Sequence, residues 1–278
     1  MKAYNLSVIF IVGMILFFSS CTKSNYNDAV TKGDPPPVPG GFTNSNQIEP
    51  ASLVGYWAFN GSLIDSVSKT MAVSTNTSFG DGQKGMAMQG AANGFVIATP
   101  GDAIKNMTAY TISFWVNTPL NVGATGIVSI GDTLNFWGNI NIFFENGGND
   151  NLARFKTIYK SNGIDRDNNI QEVNGGFNSW VQYCISYDGT STFKSFVNGS
   201  LARTNTVDGM GPIKFTNVGP IIFGTLHFMT LPNSSTSATT AQPWAGYLAG
   251  KLDEVRIYNK GLTDPEIFAL FQLEKQKR

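Results

Sequence analysis

Histidine, cysteine and charge are scarce in this chain. Of its 278 residues one is histidine, two are cysteine and 14% are charged, against ~25% in an ordinary globular protein. With His227 as the sole imidazole, a Ser-His-Asp triad has one possible base and a zinc site has few ligands to draw on. Lys+Arg and Asp+Glu stand at 19 each, for a net charge of +0. There is no basic field to hold phosphates, which argues against a nucleic-acid partner, and no acidic disordered tail. The P-loop, the dinucleotide fingerprint, H-E-x-x-H, C-x-x-C and G-x-S-x-G are all missing. So is the strand–helix–strand alternation of a parallel nucleotide-binding sheet. What is present is 42% apolar residues, 30 glycines and 20 phenylalanines, a mix that favours strands joined by turns.

The first residues have a different character. Lys2 precedes an apolar run, LSVIFIVGMILFF at 6–18, of signal-peptide length and too short to span a bilayer comfortably. FSSC follows, ending at Cys21. It resembles a bacterial lipobox, with Phe18 where Leu is usual. Residues 1–20 are therefore expected to be a signal peptide, and Cys21 the residue that is lipidated and holds the chain on a bilayer. The corresponding location is that of an exported bacterial lipoprotein of the outer membrane, on either side of it. Residues 21–51, with DPPPVPGG at Asp34–Gly41 and no periodicity, read as an extended linker. Cys184 then lacks a partner and is expected to be a small buried hydrophobe within WVQYCISY.

From residue 52 to 278 the pattern is β. YTISFWVN (110–117) alternates, and NINIFFE (139–145) sets Ile140, Ile142 and Phe144 against Asn139, Asn141, Phe143 and Glu145. WVQYCISY (180–187), FKSFVNG (193–199), GPIIFGT (219–225) and KLDEVRIYN (251–259) are further strands, and Asn198-Gly199 is a hairpin signal. Many short strands at roughly regular spacing predict an all-β, two-sheet antiparallel sandwich or jelly roll. One short C-terminal helix is predicted from the Thr263/Glu266 capping box, Pro265, and the apolar positions Ile267, Leu270 and Phe271.

Four of these segments carry a resemblance. LVGYWAFNGSLIDSV (53–67), YTISFWVNT, WVQYCISYDGTSTFKSFVNGSLA (180–202) and GKLDEVRIYNKGLTDPEIFALF (250–271) resemble, in order, the hallmark strands of bacterial laminin-G-like, concanavalin A-like lectin/glucanase jelly rolls. The resemblance implies two packed antiparallel sheets and, in many relatives, glycan binding, sometimes with Ca²⁺. It offers structural calcium at Asp253, with Asp65 or carbonyls near Asn60 and Gly61 as co-ligands. Asp253 is in phase with Val255 and Ile257 on the face expected to be inward, and a buried carboxylate needs a cation, hydrogen bonds or a raised pKa. The competing reading is an acid that binds backbone N–H groups of a neighbouring turn. The long polar stretches 146–176 and 231–244 read as insertions decorating one rim.

A catalytic constellation is hard to assemble. Retaining glycosidases need two carboxyls about 5–5.5 Å apart, and the glucanase-type E-x-D-x-x-E string is absent. Asp165 and Asp167 read as a solvated turn, Glu145 has no acid two residues away, and Asp253 and Glu254 are expected on opposite faces of one strand. His227 reads as a structural or rim residue. A sugar site needs flat apolar rings beside amide and carboxyl groups. Trp137, Asn139, Asn141, Glu145, Arg154, Tyr159 and Trp244 are the candidates, while Trp57, Trp115 and Trp180 are expected to pack. The expected activity is non-catalytic capture of a glycan or polysaccharide at the cell envelope, with partner proteins of an uptake or adhesion system. The alternatives are a structural or adhesion module, or a glycoside hydrolase.

Overall fold

The computed structural model describes residues 37–121, 123–145, 152–161, 164–168, 170–240 and 242–278. The expected signal peptide, Cys21 and the start of the linker lie outside the described residues. In chain order the first strands are β1 (Leu53–Trp57), β2 (Val73–Thr75), β3 (Ser78–Asp81), β4 (Met86–Gln89), β5 (Phe95–Ala98) and β6 (Tyr110–Asn117). Next come β7 (Ala124–Asp132), β8 (Ile140–Glu145), β9 (Leu152–Ser161), β10 (Ile164–Asp167), β11 (Ile170–Asn174) and β12 (Val181–Tyr187). The last are β13 (Thr192–Val197), β14 (Ser200–Thr206), β15 (Val218–Phe223), β16 (Ala245–Gly246) and β17 (Lys251–Tyr258), with helices α1 (Asp102–Lys105) and α2 (Asp264–Lys275).

They form two sheets of a jelly-roll sandwich. Sheet I has eight strands in the order β14-β13-β12-β6-β17-β4-β3, with β1 also on β17. Sheet II has nine, ordered β10-β9-β8-β7-β15-β5-β2, with β11 on β9 and β16 on β7. All pairings are antiparallel except the short β16–β7 contact. The alternation read from the sequence sets the inward faces: Ile112, Phe114 and Val116 from β6 meet Ile140, Ile142 and Phe144 from β8 in one core. Aromatic pairs bridge the sheets, with Phe155 stacked on Tyr183 at 4.1 Å and Tyr159 on Phe193 at 4.0 Å. Asn198 (φ 50) and Gly199 (φ 74) form the turn between β13 and β14, both in the left-handed region that such a two-residue connection requires.

Two expectations change here. The folded unit starts at Pro37, not at residue 52. Val38 and Ile48 are buried against Ile267, Leu270 and Leu273 of α2, and a short 3-10 turn over Ser45–Gln47 is closed by a capping box from Asn44. The linker's second half is thus part of the domain, because its two aliphatic residues cover the outer face of sheet I with α2. Replacing Ile48, 1% exposed, by alanine is expected to cost about 2–5 kcal/mol of stability; chemical denaturation that found less than half a kilocalorie would show that this segment is not docked. The second change concerns the polar stretch 146–176. It holds β9, β10 and β11, which extend sheet II, so what reads as a loop decoration is largely strand. In β9 the inward Ala153, Phe155, Thr157 and Tyr159 alternate with Arg154, Lys156 and Ile158, and the length of the stretch hid that period.

Candidate functional site

The outer face of sheet II carries a cleft of about 470 Å³. β8 contributes Phe143 and Glu145, β9 contributes Lys156 and Ile158, and the edge strand β10 contributes Asp167. Trp137 and Trp244, from two separate loops, complete the walls. The rings form a continuous cluster. Trp137 stacks on Phe143 at 5.8 Å and 15°, lies 6.0 Å from Trp244, and meets Phe228 edge-on at 5.7 Å. Phe136 stacks on Phe228 at 4.4 Å beneath them. Trp244 remains 40% exposed, and its indole N–H donates to Gln242 Oε1 at 2.9 Å, which fixes the plane of the ring.

The backbone explains why Trp244 reaches this place. The Ala124 N–H donates to the Trp244 carbonyl at 2.8 Å, and β16 continues alongside β7. A Cβ on Gly123, at φ +83, would lie 2.6 Å from that carbonyl, so only glycine allows the approach. On the charged side, Lys156 Nζ sits 3.1 Å from Glu145 Oε2, both partly exposed. The arrangement offers flat apolar rings for stacking, one ion pair, and carboxylates able to accept hydroxyl hydrogens.

Of the sugar-site candidates, Trp137, Glu145 and Trp244 converge in this cleft. Arg154 is half-buried and faces Glu145 across the β8–β9 register, but it is not among the lining residues. Asn139, Asn141 and Tyr159 are fully buried and so are corrected as contact residues. Asn139 Nδ2 donates to the carbonyls of Gly131 and Thr216, and its Oδ1 accepts from the Thr216 N–H. Asn141 clamps Gly138 through both its amide groups. Together with Asp132, which accepts from the N–H groups of Leu134 and Asn135, they hold the loop that presents Trp137. Tyr159 points into the core. Phe143, Lys156, Ile158 and Asp167 were not foreseen as contacts. The signal for Phe143 was its phase with Glu145; for Lys156 and Ile158 it was the same alternation within FKTIYK.

The calcium reading does not fit the donor set. Among the described residues no three acidic, histidine or cysteine side chains cluster for a metal. Asp65 accepts from the N–H groups of Tyr56, Val67 and Ser68 and from the Ser68 hydroxyl, and Asn60 Oδ1 accepts from the Met86 N–H. Asp253 accepts from the N–H groups of Lys84 and Glu254. These oxygens are occupied by turn backbone, whereas calcium needs six to eight free ones. Asp253 also lies on the other face from that expected. The β17 register shifts between Asp253 and Arg256, with Glu254 at φ 50. This bulge leaves Leu252, Val255 and Ile257 inward and turns Asp253 and Glu254 both toward the α2 side. There they are fully buried rather than set in a cleft.

Burial, helped by the nearby Glu254 carboxylate, pushes Asp253 up to about 8, against the pull of its two N–H donors. Its unfolded value is ~3.9. The folded state therefore binds the extra proton between about pH 4 and 8, and stability should fall as pH rises through that window. Urea denaturation at pH 5 and pH 8 checks the direction, and an Asp253 carboxyl resonance titrating below pH 5 would refute it.

His227 and Cys184 are structural, as the sequence suggested. His227 Nε2 lies 3.3 Å from the Asn135 carbonyl, and burial pushes the ring down to about 4, leaving it neutral. Cys184 is a buried free thiol, and burial pushes its pKa up.

The sandwich is of the jelly-roll class, and an aromatic cleft lies on one outer face. The chain belongs to the concanavalin A-like lectin/glucanases superfamily, whose laminin-G-like model matches residues 90–268. No curated protein matches. Among solved structures it is similar to domain 4 of a GH43 extracellular arabinanase from Geobacillus stearothermophilus, in complex with arabinotriose. That match has a TM-score of 0.56 at 19% identity and covers 79% of this chain and 98% of that one. It is also similar to the binding domain of botulinum neurotoxin DC in complex with rat synaptotagmin II, with TM-score 0.56, 18% identity, and 81% and 52% covered. The serotype G neurotoxin binding domain gives 0.57 at 16% identity, with 80% and 51% covered. The chain spans about half the length of these toxin domains.

Proposed function

We propose that this domain is a non-catalytic glycan-binding module, tethered to the outer membrane of an exporting bacterium through a lipidated Cys21. The observation that carries the reading is the cleft itself. An exposed Trp244 faces Trp137 over Phe143, with a charged pair alongside, and this is the chemistry that stacks on the C–H face of a sugar and bonds its hydroxyls. The arabinanase domain, which holds arabinotriose, supports the view that the fold accommodates an oligosaccharide. The non-catalytic part rests on the carboxylates. Glu145 is tied to Lys156 at 3.1 Å, and Asp165 on β10 lies 3.4 Å from Lys160, so each is engaged by a lysine.

The test is affinity electrophoresis against plant, host and microbial polysaccharides. Retention by at least one supports the reading. Release of reducing ends would replace it with a hydrolase. Absence of retention on every glycan would shift it to protein docking at an adhesion or uptake system, a second reading supported by the toxin domain held by synaptotagmin II. The anchor is tested separately: mass spectrometry of the mature protein is expected to find a diacylglycerol-modified Cys21 at the N-terminus, absent in Cys21→Ala. An unmodified terminus at any other residue would remove the lipoprotein assignment.

A further inference from the structure

A second cleft, of about 490 Å³, lies behind the same loop segment. Among the described residues its lining is uncharged, with Phe228, Met229, Leu231, Thr240 and Tyr247 forming much of it. The two clefts share a wall one segment thick. Trp244 lines the first, while its immediate neighbours Pro243 and Ala245 line the second. They also share a floor, since Phe228 lines the second cleft and lies 5.6 Å from Trp244 and 5.7 Å from Trp137. Local hydrogen bonds tie side chains on either side of the divide. Gln242 Nε2 donates to the Thr240 carbonyl while Gln242 Oε1 holds the Trp244 indole, and the Tyr247 hydroxyl donates to the Met229 carbonyl at 2.9 Å.

We infer that the two clefts are consecutive subsites for one uncharged stretch of polysaccharide, which crosses Trp244 as a crest. This rests on the glycan reading above and extends it to a ligand class: chains longer than either cleft, whose extension into the second one carries no charge. The second cleft has no charged group to satisfy a carboxylate or sulfate and offers apolar rings, methyls and threonine hydroxyls, so a uronate or sulfated sugar would lose its hydration there without compensation. Filling both subsites with one chain makes the second contact intramolecular and raises affinity without any new domain.

The experiment is calorimetry with trisaccharides and hexasaccharides of arabinan, xylan and cellulose, on wild type and on Leu231→Arg. Leu231 lines the second cleft, is 71% exposed and lies outside the Gln242–Trp244 contacts, so the bulky cationic replacement fills that cleft at a position where folding tolerates it, and an unchanged melting temperature verifies that. In at least one series the hexasaccharide should bind wild type about tenfold more tightly than the trisaccharide, a difference of ~1.4 kcal/mol. Leu231→Arg should abolish that advantage and leave trisaccharide affinity intact. Equal affinity for both lengths in wild type, or equal loss of both in the variant, overturns the two-subsite inference while leaving the glycan reading in place. Binding of none of the series overturns the two-subsite inference for these neutral chains, while the glycan reading falls only if the plant, host and microbial panel also goes unretained.

Discussion

Glu274→Ala is expected to destabilise the domain by about 3–5 kcal/mol, because it takes one of two carboxylates from a buried guanidinium and leaves a buried indole N–H unpaired. Glu274 is fully buried on α2, where Oε1 accepts from Arg256 Nε and Oε2 from the Trp115 indole, both at 2.7 Å. Arg256 is itself fully buried and reaches Glu254 at 3.1 Å, Asn46 at 2.9 Å and Ser45 at 3.1 Å, with its guanidinium 3.8 Å above the Tyr56 ring. The Tyr56 hydroxyl in turn donates to Glu254. One arginine thus joins β17, α2, β1 and the N-terminal segment. Removing Glu274 takes away its best carboxylate and orphans the Trp115 N–H. The double replacement Arg256→Met with Glu274→Leu should cost more than the single, since it leaves the buried Glu254 carboxylate without its guanidinium, with Lys84 Nζ at 3.8 Å as the remaining cation. Thermal and urea unfolding of the three proteins check the order; a Glu274→Ala variant within 1 kcal/mol of wild type would mean that water already screens this network.

Trp244→Ala is expected to weaken glycan binding by about 2 kcal/mol, roughly thirtyfold in Kd, with little change in melting temperature. The two effects separate because Trp244 is 40% exposed. Its ring meets Trp137 and Phe228 at tilted angles, 6.0 and 5.6 Å away, without stacking on a buried ring, and its carbonyl contact to Ala124 survives truncation. Trp137→Ala should differ, lowering both affinity and stability, because its half-buried ring stacks on the buried Phe143 at 15°. Calorimetry with a retained oligosaccharide, paired with thermal melts, checks both halves. Unchanged affinity in Trp244→Ala would move the ligand off this face.

The candidate site was legible only in part, for a physical reason visible in β8. Alternation correctly set Asn139, Asn141, Phe143 and Glu145 on one face, but a face turned away from the core need not reach water. The loop at 133–138 and the segment before β15 close over the first half of that face, so the two asparagines bond the backbone of Gly131, Gly138 and Thr216, while Phe143, 3% exposed, floors the cleft and Glu145 stays at the surface. Polarity alone cannot separate an amide that bonds a sugar from one that bonds a carbonyl of its own chain. Asp253 failed in a related way. Its phase with Val255 assumed an unbroken strand, and the bulge at Glu254 moved it to the opposite side.

What the sequence by itself determined is what depends on neighbours a few residues apart. The strands at 110–117 and 251–258, the Asn198-Gly199 turn, and the Thr263/Glu266 cap of α2, observed with both its hydrogen bonds, follow from side-chain period, left-handed backbone and orphan N–H groups. The motif order along the chain was enough for the superfamily. What only the tertiary structure decided depends on residues far apart. Trp137, Glu145, Lys156 and Trp244 meet because β7, β8 and β9 are adjacent and Gly123 admits the carbonyl of Trp244. Residues 37–51 belong to the domain because Arg256 and α2 present a surface that Ser45, Asn46 and Ile48 complete. Neither meeting leaves a periodic trace, since each side chain is selected by a partner that local pattern does not see.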